Sequence, residues 1–315
     1  MDSAESRLAA AVDRVVQGDP RALARAITVL ENEAPTALAL AAALYPHTGR
    51  AITIGLTGAP GSGKSTLADA LIRLLRGLSV RVAVLAVDPS SPLSGGAVLG
   101  DRVRMGGYAS DPGVYIRSMA ARGHLGGLAR AADVALLALD AAGWPVIIVE
   151  TVGVGQSEVE VAGLTDVTAV VLTPAAGDAV QTLKAGLLEV ASVFVVNKCD
   201  LPGATTLIRD LRALLAHRGG AAPPIVETAA TADQGIAELW AALQSRRAHH
   251  DQQGRRRAVA AQRVAAAALT LLQRDLATRI ADQPDRYATL LDAVAARSLD
   301  PTEAAARLLA QPPRI

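Results

Sequence analysis

Aromatic residues are scarce in this 315-residue chain: one Phe, two Trp and four Tyr make up 2% of it. So few rings provide no platform for stacking unpaired bases, and the core has to be built from Ala, Val, Leu and Ile. Cysteine is scarcer still, and Cys199 alone excludes a disulfide framework or a multi-cysteine metal site. Charge of one sign is also lacking. Lys and Arg total 31 against 30 Asp and Glu, a net of +1, where a general nucleic-acid binder would gather a basic excess on one face. No run reaches about 18 uncharged apolar residues, the length a membrane span needs. The N-terminal MDSAESRLAAAVDRVV carries acids and lacks the basic start, apolar run and cleavage site of a secretory signal. Aliphatic content is what the chain does have. At 51% hydrophobic it can bury a large core, which excludes disorder over most of its length. The expectation is a globular, cytoplasmic protein that engages neither nucleic acid nor membrane.

Residues 3–45 place Ala and Leu among Arg, Asp and Glu at helical spacing, broken by Gly18-Asp19-Pro20 and Ala34-Pro35, and predict two or three short helices. From Arg50 the texture changes to apolar runs alternating with helical patterns. Strands are predicted at Ile52–Thr57, Val80–Val87, Val146–Val149, Val167–Leu172, Val193–Val196 and Ile225–Val226. Helices are predicted at Lys64–Arg76, Leu128–Ala142 and Ala204–His217. Val/Ile/Leu runs without polar alternation belong to strands covered on both faces, hence to an α/β fold with a mostly parallel, doubly wound sheet. After Leu243 the strands stop, and 255–281, 285–298 and 301–310 read as helices. The expected organisation is a helical N-terminal extension over 1–48, an α/β domain over 49–247 and a helical C-terminal arm over 248–315.

The first predicted strand runs into Gly58-Ala59-Pro60-Gly61-Ser62-Gly63-Lys64-Ser65-Thr66 and then a helix, a complete G-x-x-x-x-G-K-S in strand–loop–helix context. Its glycines let successive N–H groups curl around a phosphate, and the helix N-terminus adds partial positive charge. Lys64 is positioned for the β- and γ-phosphates, and the Ser65 hydroxyl for Mg²⁺. Lys64-Ser65 directly after Gly63 separates this loop from the glycine-rich turn of dinucleotide-binding folds.

The strand Val193–Val196 ends in Asn197-Lys198-Cys199-Asp200, an N-K-x-D sequence about 130 residues beyond the phosphate loop. A carboxylate at Asp200 accepts from guanine N1–H and the N2 amine. Adenine offers neither and leaves a desolvated acid unpaired. Asn197 is expected to brace neighbouring loops and the Lys198 stem to cover one face of the base. Thr228-Ala229-Ala230, after the last predicted strand, is expected to offer backbone N–H groups to guanine O6. Between these anchors, Asp88 and Glu150 stand at strand ends and Asp101 lies in Leu99–Met105. Each acid alone could be a helix cap or a solvated charge. Together they suit metal-proximal switch positions at the carboxyl ends of an open α/β sheet. Glu150-x-x-Gly153 takes the place of the D-x-x-G of many GTPases, with Val154 after the glycine and Gln156 two residues further on.

The runs AVDPSSPLSGGAVLGDRVRM, YIRSMAARGHLGG, ETVGVGQSEVEV and GDAVQTLKAGLLEVAS, with NKCD, resemble the MeaB/ArgK family of P-loop GTPases. These are chaperones of adenosylcobalamin-dependent acyl-CoA mutases, chiefly methylmalonyl-CoA mutase. The resemblance covers about residues 20 to 300. It implies GTP/GDP and Mg²⁺ as ligands, with Lys64 and Ser65 on phosphate and metal and Asp88, Asp101 and Glu150 as metal and nucleotide-sensing acids. It places Gln181 and Lys184 in a third switch that answers to the partner, Lys184 then serving catalysis, and it implies a homodimer through the C-terminal helices. This chain departs from the usual family pattern in Cys199 at the variable base-loop position and in Thr228-Ala229 where the family has Ser-Ala.

Three features do not add to the site. His249-His250 has no neighbouring ligand cluster, Arg255-Arg256-Arg257 reads as a solvated helix face, and Cys199 shows no activating neighbour. Two other functions stay open at this point: a metallochaperone GTPase, which would need a Cys/His-rich segment, and a small-molecule kinase of an arginine or ornithine transport system.

Overall fold

The computed structural model describes residues 2–32, 36–88, 106–108, 110–120, 127–151, 163–174, 186–216, 222–252, 254–282 and 284–309. It divides into two compact units, Met1–Arg255 and Arg256–Ile315.

Seven strands form the sheet of the first unit: β1 Ile52–Thr57, β2 Val82–Asp88, β3 Val114–Ala120, β4 Val146–Thr151, β5 Val167–Leu172, β6 Val193–Asn197 and β7 Ile225–Thr228. Their order is β3-β2-β4-β1-β5-β6-β7, and every pairing is parallel. Only a doubly wound crossover pattern puts β1 in the middle of such a sheet. β4 and β5 are buried at every position, which is why they read as unbroken apolar runs.

Among the described residues the helices of this unit are α1 Asp2–Val16, α2 Pro20–Glu31, α3 Ala37–Leu44, α4 Lys64–Gly77, α5 Gly127–Ala141, α6 Leu187–Val190, α7 Ala204–Ala216 and α8 Ile236–Gln252. Three apolar clusters hold them to the sheet. On one face Val15, Leu23, Ile27 and Leu44 from α1–α3 pack with Leu136 and Leu139 of α5 against Leu85 and Ile147. The N-terminal helices therefore share the core of the α/β sheet. On the other face Leu67, Leu71 and Leu75 of α4 and Leu239 and Leu243 of α8 cover Ile54, Val84 and Ile148. The third cluster joins Leu207 and Leu211 of α7 to Phe194 and Val196 of β6. Burying a Leu or Ile side chain contributes about 1.5–3 kcal/mol, so these mainly aliphatic faces need few aromatic residues, Phe194 and Trp144 among the buried ones.

Local signals fix the helix ends. Asp19 accepts from the N–H groups of Arg21 and Ala22 at 2.8 and 3.2 Å ahead of Pro20, capping α2. Asp140 of α5 collects the N–H groups of Gly49, Arg50 and Ala51 at 2.6, 3.1 and 3.0 Å, fastening the link between α3 and β1.

The second unit holds α10 Pro284–Ala295, α11 Pro301–Leu309 and most of α9, Arg255–Asp282. Asp300 caps α11 by accepting from the N–H groups of Thr302 and Glu303. Val264, Leu272 and Leu291 are exposed on these helices. No helix among the described residues is long and apolar enough to cross a membrane.

Candidate functional site

The carboxyl ends of β1, β4, β5, β6 and β7 gather most of the residues singled out from the sequence. Gly58, Gly61 and Gly63 carry φ values of +143°, +77° and +93°, a conformation that side chains resist. At two of them space is also closed. A Cβ on Gly58 would stand 2.2 Å from the Val171 carbonyl oxygen, and one on Gly63 would stand 2.3 Å from Asn197 Nδ2. The loop is thus pressed against β5 on one side and β6 on the other. Ala59 is half-buried, Pro60 exposed and Ser62 fully buried, and Thr66 lies exposed in the first turn of α4.

Lys64, 7% exposed, donates from Nζ to the carbonyl oxygens of Gly58 and Ala59 at 2.6 and 3.2 Å. Its ammonium therefore lies inside the loop. Phosphate oxygens would replace neutral carbonyls there as stronger, charge-assisted acceptors. Ser65 Oγ donates to Glu150 Oε1 at 2.5 Å, and Glu150, at the end of β4, is 1% exposed. With its proton turned to the carboxylate, the hydroxyl oxygen directs its lone pairs elsewhere. A serine hydroxyl and a buried carboxylate form an all-oxygen donor set, which fits a hard divalent cation such as Mg²⁺.

Asn197 joins the two halves of the site. Its Nδ2 donates to Ser62 O of the phosphate loop at 2.9 Å. Its Oδ1 accepts from Thr228 Oγ at 3.1 Å and from Ala230 N–H at 3.3 Å. One side chain thereby spaces the phosphate loop, the end of β6 and the loop after β7. Lys198, at φ +59°, donates from Nζ to Gly61 O at 2.8 Å, so its stem bridges the same loops. Cys199 N–H donates to Thr228 O at 3.0 Å. Burial, then the carboxylates of Glu227 and Asp200, push the Cys199 thiol above its ordinary pKa, away from the reactive thiolate.

Two details refine the sequence reading. Asp200 is exposed, so the base selectivity expected of it would have to come from the desolvation that a bound base brings. The N–H groups of Ala229 and Ala230 are engaged, the first to Gln234 O at 3.1 Å and the second to Asn197. Contact from them to O6 would require an exchange of partners. Asp88 ends β2, its side chain outside the described residues. Asp101, Gly153, Gln156, Gln181 and Lys184 also lie outside them.

His250 is buried, its Nδ1 3.0 Å from Asp166 O. Asp166 precedes β5 and binds Thr53 at the start of β1, at the opposite end of the strands from the phosphate loop. This histidine packs the end of α8 onto the sheet. Among the described residues no group of three or more His, Cys, Asp or Glu gathers as a metal site would. The side chains of Arg255–Arg257 lie outside those described.

A seven-stranded parallel sheet with a phosphate loop after its central strand, and with N-K-x-D beside it, defines a P-loop GTPase. Comparison with known proteins specifies which kind. The family described as methylmalonyl-CoA mutase-associated GTPase MeaB matches residues 23–285. A Pyrococcus abyssi relative is 43% identical over 306 residues, 95% of this chain and 94% of its own. The GTPase ArgK of Escherichia coli is 39% identical over 255 residues, 76% of each chain. The crystal structure of a LAO/AO transport system kinase superposes with a TM-score of 0.71 at 30% identity, covering 96% of this chain and 97% of that one. The chain belongs to the MeaB family of GTPases.

Proposed function

We propose that this GTPase gates cofactor loading and protection of an adenosylcobalamin-dependent acyl-CoA mutase of the methylmalonyl-CoA type. The observation that carries the reading is the Asn197 link between the phosphate loop and both base loops. It makes base and phosphate two ends of one site, as a nucleotide-state switch requires. The family's description as mutase-associated supplies the class of client.

In this reading Gly58–Thr66 bind the phosphates, with Lys64 exchanging the Gly58 and Ala59 carbonyls for β- and γ-oxygens. Asn197, Lys198, Asp200 and Thr228–Ala230 form the base pocket. Ser65 holds Mg²⁺ with Glu150, Asp88 and Asp101 as the acids around it. The metal supplies positive charge against the negative charge developing on the transferred phosphoryl group. Glu150 orients the Ser65 hydroxyl from a buried position, where a fixed dipole counts for more than in water. The protein works in the cytoplasm as a homodimer joined by its C-terminal arm, where Val264, Leu272 and Leu291 lie exposed.

Glutamine does not follow Gly153 in the sequence. Val154 stands there, and no side chain next to the glycine is suited to orient the attacking water. Intrinsic hydrolysis is therefore slow, and a GTP-bound state lasts long enough to serve as a signal. The client accelerates hydrolysis by ordering the Gln181–Lys184 segment and bringing Lys184 toward the developing charge. Steady-state phosphate release tests this. A cognate cobalamin mutase is expected to raise kcat at least about tenfold, roughly 1.4 kcal/mol of barrier. Lys184→Ala is expected to keep basal turnover and lose most of the stimulation. Fast turnover by the isolated chain, or equal stimulation of both proteins, would contradict the mechanism.

A further inference from the structure

The outer face of α4 carries a chain of polar contacts that none of the nucleotide motifs includes. Tyr108 Oη donates to Asp69 Oδ1 at 2.7 Å. The other oxygen of Asp69 pairs with Arg73 Nη1. Arg73 Nη2 reaches Asp233 Oδ1 at 2.6 Å, 160 residues away in sequence. One guanidinium is thus shared by two carboxylates, one on its own helix and one on the loop that follows Thr228. Burial, reinforced by Asp69, pushes the Tyr108 phenol up to about 12. It stays protonated near neutral pH and keeps Asp69 in place from the far side.

The loop that Arg73 grips behaves as one stiff piece. Ala229 and Gln234 close it with an antiparallel bridge. Ala232 N–H donates to Ala229 O at 2.9 Å. Asp233 sits at its tip in the left-handed conformation, φ +54°. Behind it, Gly235 is packed so tightly that a Cβ would meet Glu227 O at 2.0 Å. A displacement of the tip is therefore carried to Ala230, whose N–H holds Asn197, and Asn197 sets the distance to Ser62. Arg73 and Asp233 are themselves 41% and 60% exposed, and ion pairs in that setting add little to folding stability. What the contact can do is fix the position of the loop.

We propose that Arg73 is a positioning residue for the base end of the site, clamping the 229–234 loop to the same helix whose N-terminus receives the phosphates. Asp69, steadied by Tyr108, orients the guanidinium for that task. The inference rests on the reading that Asn197, Asp200 and the loop after Thr228 receive guanine. It adds a residue outside every motif to the determinants of nucleotide affinity.

The test uses the full chain, with GDP as the probe of the whole site and inorganic tripolyphosphate as the probe of the phosphate loop alone. Arg73→Ala is expected to weaken GDP about fivefold, leave tripolyphosphate unchanged, and shift the melting temperature by no more than a couple of degrees. Arg73→Lys should recover part of the loss, because a point charge still reaches one carboxylate. Asp233→Asn should lose a similar amount, and Arg73→Ala with Asp233→Asn no more than either alone, as two ends of one contact require. Equal weakening of GDP and tripolyphosphate, no weakening of GDP, or additive losses in the double variant would overturn the assignment. A wild-type protein that binds ADP as well as GDP would overturn the base-loop reading itself. If the wild-type preference holds and Arg73→Ala has no effect, only the role of Arg73 is refuted.

Discussion

Asp200→Asn is expected to weaken GTP binding by about 30- to 100-fold while improving the relative binding of XTP. A carboxylate that accepts from guanine N1–H and N2 makes charge-assisted contacts, each of which contributes about 1.5–3 kcal/mol when desolvated. Asn replaces one acceptor oxygen with an amide donor, which opposes the guanine amine and meets the C2 carbonyl of xanthine. The exposure of Asp200 makes the substitution a clean one, because it disturbs no buried contact of the fold. Isothermal titration with both nucleotides measures it. Unchanged GTP affinity in the variant would remove Asp200 from the base pocket.

Gly58→Ala is expected to affect both folding and binding. The added methyl would stand 2.2 Å from the Val171 carbonyl oxygen and 3.1 and 3.2 Å from that residue's C and N. These are backbone atoms of a central strand and cannot swing aside. The positive φ of +143° adds conformational strain. Overpacking typically costs 1–3 kcal/mol and a strained backbone a further 1–3, so a loss of about 3 kcal/mol or more is expected. In a unit of this size that corresponds to a melting temperature lower by roughly 6–12 °C. Nucleotide affinity should fall more than about tenfold, since the strained loop no longer presents its N–H groups together. Gly61→Ala is the control. Its φ is also positive, but nothing lies within 4 Å of the new methyl, so the loss should be smaller. Equal melting temperatures for the two variants would show that contact with β5 does not constrain the phosphate loop.

The sequence made the central strands visible because burial on both faces leaves their residues uniformly apolar. It placed several strand ends too early, for one physical reason. Asp88, Glu150 and Thr151, Asn197, and Glu227 and Thr228 continue the ladder, but as polar residues they break an apolar run. The positions that pattern reading cut off are among those that reach the site. β3 escaped prediction altogether. As the edge strand it carries Tyr115, Arg117 and Ser118 among its apolar residues and is mostly half-buried, so it lacks the continuous run that marked the others. Its Arg117 pairs instead with Glu31 of α2.

The candidate site was legible wherever chemistry demands adjacent residues, as in Gly58–Thr66 and Asn197–Asp200. Contacts between residues distant in sequence were legible only where both partners lie in motifs. Asn197 meets Ser62 across 135 residues, Ser65 meets Glu150 across 85, and Arg73 meets Asp233 across 160. The first two could be anticipated because both partners lie in recognisable motifs. Arg73 and Asp233 sit in ordinary helix and turn sequence, where a lone charge reads as a solvated one.

The proposed function requires that Asn197 make one guanine site out of the phosphate and base loops. Equilibrium titration of the unmodified chain with GTP, GDP, ATP and ADP tests that requirement most directly. Guanine nucleotides are expected to bind at least about a hundredfold more tightly than their adenine counterparts, a difference of roughly 2.7 kcal/mol. Equal affinity for the two bases would mean that the loops beside the phosphate site do not read the base, and would contradict the account.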